Sequence, residues 1–106
     1  AALAIEEKGL IGKVGAYGTC LPSVAYDYLK NGAAKSIHFW IPADAGYVSC
    51  KVAWEVLKGN EIKEGMDLGK PGYESITIRN NQHGFPVIYG QAWHDVTAEN
   101  VDDYDL

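Results

Sequence analysis

The sequence predicts an α/β chain with a parallel βαβ unit, a further helix and a C-terminal hairpin, and three observations predict it. Two short apolar stretches, residues 13–18 (KVGAYG) and 35–41 (KSIHFWI), flank a stretch of helical period, which is the βαβ pattern. A second helical stretch follows directly, from Asp44 to about Lys58. Two strand-like runs near the C-terminus, residues 74–79 (ESITIR) and 85–89 (FPVIY), are separated by turn residues.

Taken in order, residues 1–8 are rich in Ala and Glu with no capping residue before them, and read as the last turns of a helix ended by Gly9. Residues 13–18, bounded by glycine, suit a buried strand. Residues 19–21 then make a short βα loop. Pro22 presets φ for a first helical turn and Ser23 offers a capping hydroxyl. Val24, Ala25, Tyr28 and Leu29 fall on one face, and Asn31-Gly32 stops the helix. A strand, a helix and a second strand should make a right-handed crossover between parallel strands.

Pro42 ends the second strand and Asp44 is the expected cap of the next helix, with Gly59 past its end. That helix carries two adjacent apolar stripes, Ala45, Val48, Val52, Val56 and Tyr47, Cys50, Trp54, Leu57, leaving a polar face of Lys51, Glu55 and Lys58. A helix apolar over most of its circumference needs cover on more than one side, and the chain offers little to provide it. Residues 60–72 (NEIKEGMDLGKPG) read as a charged surface loop, residues 80–84 as a turn, and Thr97 as the cap of a short final helix reaching Tyr104.

With 106 residues, 47% hydrophobic and 22% charged, the composition supports one core. The net charge of −5, with acids gathered at Asp95, Glu99, Asp102, Asp103 and Asp105, argues against nucleic acid, whose phosphates need a cationic face. No apolar run reaches the roughly 20 residues that cross a bilayer. Cys20 and Cys50 form no CxxC pair; two buried thiols are favoured, with a disulfide left open for an oxidising compartment.

Catalytic and cofactor signals are weak. GLIGK at 9–13 is too short for a P-loop and GAYG at 15–18 lacks the GxGxxG spacing, so no cofactor is indicated. His38, His83 and His94 show no metal-ligand spacing and read as one structural and two surface histidines. The adjacent pairs Glu6-Glu7 and Asp102-Asp103 cannot face each other across a cleft. Ser23 and Cys20 follow a strand, but neither sits in a GxSxG elbow beside an indicated base, so no catalytic residue is assigned.

Binding remains. In open α/β sheets small ligands sit at the carboxyl ends of parallel strands. Those ends are residues 19–21 and 40–42, where Trp40 can lie on the apolar face of a sugar and Thr19 can hydrogen-bond a hydroxyl, with Cys20 beside it. Trp54 and Trp93 read as packing residues.

Residues 18–47, GTCLPSVAYDYLKNGAAKSIHFWIPADAGY, resemble the stretch G-x-x-LPS…W-x-P-x-D-x-G-Y of type I periplasmic sugar-binding proteins, in the branch holding autoinducer-2 and rhamnose receptors. The ending, FPVIYGQAWHDVTAENVDDYDL, is similar to that branch's closing phrase. The resemblance implies a doubly wound, parallel-sheet, two-lobed receptor of about three times this length, of which this chain is the C-terminal portion. Residues 1–41 would belong to the C-terminal lobe, 42–72 to a helix and loop of the N-terminal lobe, and 73–106 to a hairpin, hinge return and tail.

The same resemblance implies a sugar or autoinducer-2-like ligand held by Trp40, Thr19 and Cys20, and as partners the missing N-terminal portion and an ABC permease in the membrane. It implies a periplasmic or extracellular location, with a lipid anchor upstream left open. Ile41 stands where the family usually has Asn or Asp, and Cys20 where glycine is common. The open stripe of Tyr47, Cys50, Trp54 and Leu57 would pack on the absent lobe or, without it, drive self-association. The alternative within the fold is the ligand-binding core of a sugar-responsive transcription regulator.

Overall fold

The computed structural model describes residues 1–106. The chain divides into two compact units, one of Ala1–Phe39 with His94–Leu106, the other of Trp40–Trp93. No helix is long and apolar enough to cross a membrane.

In the first unit, helix α1 (Ala2–Glu7) closes as expected, with Gly9 at φ 63° and the Leu10 amide donating to Ile5 O at 2.9 Å. Strand β1 (Ala16–Thr19) starts later than the expected residue 13, because the Lys13 and Val14 amides are spent on Leu10 O in a tight turn. Nor is β1 buried as expected. Its one strand partner is β2 (Ala34–Phe39), so it lies at the edge of the sheet with Tyr17, Gly18 and Thr19 exposed.

Helix α2 (Pro22–Asn31) begins with proline at its first position and ends at Gly32 in the left-handed region, φ 84°. The Ser23 hydroxyl caps nothing; instead the Ser23 amide donates to Leu106 O at 2.9 Å, tying the chain's end to the helix start. Ala25 and Leu29 are buried against the sheet, while Val24, expected on the same face, is exposed. The β1-α2-β2 crossover joins parallel strands in the register Tyr17↔Ser36 and Thr19↔His38.

β2 stops at Phe39, two residues short of expectation, because Ile41 already serves as the cap position of the following helix. On its other side β2 pairs antiparallel with β5 (His94–Val96), giving sheet order β1-β2-β5. An antiparallel edge on a parallel sheet is common, but three residues are too few to show an alternation in sequence. The expected final helix shrinks to a 3₁₀ turn, Val101–Asp103. Leu29, Ile37, Phe39, Val96 and Val101 form the buried interior of this unit.

In the second unit, helix α3 (Pro42–Leu57) is capped at Ile41, three residues before the expected cap Asp44, since proline fits the first helical position where an N–H has no partner anyway. Asp44 therefore lies in the first turn rather than at the cap, and accepts an ion pair from Lys70 Nζ at 2.8 Å. Val48 is buried and Ala45 and Val52 are half-buried, whereas Val56 of the same expected stripe is exposed. Glu55, expected in solvent, is buried because Lys51 Nζ (2.9 Å) and Asn60 Nδ2 (2.6 Å) satisfy its carboxylate.

The charged stretch 60–72 is more than a surface loop. Its sparse apolar residues Ile62, Met66 and Leu68 turn inward, and fully buried Leu68 joins Val48 and Ile76 as the centre of this unit's core. Backbone bonds from Gly65 to Ile76 O (2.7 Å), Ile76 to Met66 O (3.1 Å) and Leu68 to Tyr73 O (2.9 Å) hold it there. Strands β3 (Thr77–Asn80) and β4 (Pro86–Tyr89) form the expected antiparallel hairpin, Thr77↔Tyr89 to Asn80↔Pro86, with Gly84 at φ 80° in its turn.

Candidate functional site

The carboxyl end of β1 carries Thr19 and, one residue on, Cys20. Parallel pairing with β2 aims both strands the same way, so this end opens where α2 begins. Thr19 is exposed, leaving its hydroxyl accessible to a ligand, and the Cys20 thiol is half-buried, donating to Leu21 O at 3.4 Å. Both line a groove of about 310 Å³ between β1 and α2, walled by Tyr17, Val24, Tyr28 and Ile37 and by Leu3 of α1. These walls are apolar.

Trp40 belongs to the second unit, whereas Thr19 and Cys20 belong to the first. The Trp40 indole packs edge to face on Trp93, ring centroids 5.3 Å apart at 84°. Trp40, Trp93, Tyr73, Ala45, Gly90 and Ala92 line an open pocket of about 230 Å³. Trp93, expected in the core, is instead 57% exposed, and Trp54 is 55% exposed on the outer side of α3. Trp93 and Tyr73 were thus missed as pocket residues. The usable signal was the small pair Gly90 and Ala92 before Trp93, which leaves an open space instead of filling it.

The histidines fall elsewhere. His38 Nδ1 lies 2.6 Å from Asp95 Oδ1 across the β2/β5 pair, and His94 is half-buried against Phe39 and Tyr104 rather than free on the surface. No group of three His, Cys, Asp or Glu side chains is placed to hold a metal. Both cysteines are free; Cys50 is exposed, not buried, because it lies on the outward stripe of α3.

The carboxylates with displaced pKa values are tail and framework groups. The Lys30 ammonium, then the Tyr26 hydroxyl, hold Asp102 below its ordinary value, and the Ile78 amide does so for Glu64. In each case a donor favours the charged form.

A parallel crossover whose strand ends are left open at the sheet's carboxyl edge, followed by a helix and hairpin unit, is part of a periplasmic-binding-protein-like α/β fold. Among solved structures the chain is similar to LsrB from Clostridium saccharobutylicum in complex with AI-2. The TM-score is 0.69 at 22% identity over 99% of this chain and 36% of that one. The chain therefore spans about a third of that protein's length, and at this identity the likeness is one of fold. No family model and no curated protein matches the chain.

Proposed function

We propose that this chain is the C-terminal part of an extracytoplasmic solute-binding protein that delivers a sugar or autoinducer-2-like ligand to an ABC permease. The observation that carries the reading is the fold likeness to an AI-2 complex over 99% of the chain. The exposed Thr19 hydroxyl at a parallel strand's carboxyl end and the half-exposed Trp40 indole support it. In this reading Trp40, Thr19 and Cys20 are each a ligand contact, Trp40 through the face of its ring, Thr19 through its hydroxyl and Cys20 as a lining residue at the end of β1, while residues supplied by the remaining two-thirds of the receptor complete the clamp. The protein works in the periplasm or outside the cell.

With those residues absent, the chain alone binds L-rhamnose or autoinducer-2 weakly, with Kd in the millimolar range or about −4 kcal/mol. Isothermal titration calorimetry tests this: tight stoichiometric binding by the 106 residues would refute a shared clamp. The stripe of Tyr47, Cys50, Trp54 and Leu57, apolar and exposed, is the surface this reading assigns to the missing N-terminal portion, and to self-association when that portion is lacking.

A further inference from the structure

Trp40 and Trp93, the first and last residues of the second unit, pack edge to face yet stay 44% and 57% exposed. A pair of indoles serving only as packing would gain by closing over; this one presents ring surface to an open pocket. Apart from Tyr73, the other walls of that 230 Å³ space are Ala45, Gly90 and Ala92, side chains too small to fill it.

The wall is also held in place. A Cβ on Gly90 would come within 2.5 Å of the Tyr73 ring and 2.8 Å of Gly72 O, and the Gln91 amide donates to Gly72 O at 2.7 Å. The segment leading into Trp93 is therefore fixed against Gly72 and Tyr73 before any ligand arrives, and preorganisation of this kind lowers the cost of binding.

The chemistry of the walls selects a class of ligand. None carries a charge, so an ion would lose water with nothing to replace it. The volume lies below the roughly 300–1,000 Å³ of clefts that take drug-sized molecules. A small neutral ring with one apolar C–H face and a hydroxylated rim fits both conditions.

We propose that Trp93 is a second ligand-contacting residue, forming with Trp40 an aromatic corner that takes a neutral monosaccharide ring; this rests on the reading of Trp40 given above. The chain has three tryptophans, Trp40, Trp54 and Trp93, so labelling with 5-fluorotryptophan gives three ¹⁹F resonances, assigned by single Trp→Phe variants. Titration with L-rhamnose should move the Trp40 and Trp93 resonances along one isotherm and leave Trp54 in place. Glucuronate, similar in size but charged, should move neither.

Trp93→Ala should weaken the isotherm read at Trp40 by about 2- to 10-fold, as expected for losing one aromatic contact, and Trp93→Phe should retain most of the affinity. A shift at Trp40 alone, unchanged in W93A, overturns the role of Trp93 and leaves Trp40 as a ligand contact. No shift at either overturns both assignments, and equal shifts with glucuronate overturn the neutral class.

Discussion

Asp102 fastens the C-terminal tail to α2 with two contacts: Oδ2 accepts from Lys30 Nζ at 2.6 Å and Oδ1 from the Tyr26 hydroxyl at 2.8 Å. Lys30 first, then Tyr26, keep this carboxyl below its ordinary value of 3.8. A folded-state pKa below the unfolded one contributes stability that is present above the unfolded value and lost as pH falls through the folded one. Unfolding temperatures measured from about pH 5 to pH 3 should fall more steeply for the wild type than for Asp102→Asn, by a modest margin because the pair is solvent-exposed. Parallel curves would remove Asp102 from the account. A larger effect belongs to Gly72, which sits at φ 80° and whose added Cβ would lie 2.6 Å from both Ala92 Cα and Gln91 O. Gly72→Ala should destabilise by about 1–3 kcal/mol in urea unfolding, since backbone rather than a flexible side chain must yield. A variant as stable as the wild type would show that the Gly90–Ala92 segment is not held there. Thr19, Cys20 and Trp40 were legible as site candidates because a general rule about strand ends points to them. Glu55 and Trp93 were not: burial of the first depends on Asn60 closing over it, and exposure of the second on the small side chains of Ala45, Gly90 and Ala92, which leave the pocket beside it open.

Elements with a strong local signal were read correctly in kind and approximately in extent. Helices α2 and α3, the parallel pairing of β1 with β2, and the hairpin each combine periodicity with Pro, Gly or Asn punctuation. Boundaries slipped where proline could end a strand or begin a helix, and at Pro42 it begins α3. β5 and the inward turn of residues 60–72 escaped notice because their placement depends on tertiary partners: β5 on β2, Leu68 on Val48 and Ile76. The outer apolar stripe of α3 is uncovered, with Tyr47, Cys50, Trp54 and Leu57 all exposed. Lys58 Nζ sits 5.0 Å from the Trp54 ring centroid, a partial cover that leaves the indole accessible. If this stripe drives self-association, sedimentation velocity at rising concentration should show the wild type shifting to larger species. Trp54→Glu should stay monomeric with an unchanged circular dichroism spectrum. A wild type that remains monomeric throughout would sink the idea.

For the whole molecule, the imbalance lies between a well-made interior and large apolar surfaces in each unit. The first unit leaves Leu3, Tyr17 and Val24 in the open around an apolar groove, and the second leaves Tyr47, Trp54 and Leu57. Contiguous apolar patches on a folded protein mark surfaces meant for a partner. In the proposed reading these faces meet the remainder of the receptor. The alternative source of such exposure is loose packing, and the interior argues against it. Leu29, Leu68, Ile76, Val96 and Val101 are sealed, and no buried side-chain polar atom lacks a hydrogen-bond partner. The two explanations diverge in solution. A molten chain binds a hydrophobic dye such as ANS while losing its near-ultraviolet dichroism and its cooperative melt. A folded chain with uncovered faces binds the same dye with the near-ultraviolet signal of its tryptophans and a sharp thermal transition intact. The second result is expected, with dye fluorescence reduced in a Trp54→Glu, Val24→Glu double variant that keeps the transition. Strong dye binding with no near-ultraviolet signal would mean that the apolar surface reflects a poorly fixed core and not a face made for a partner.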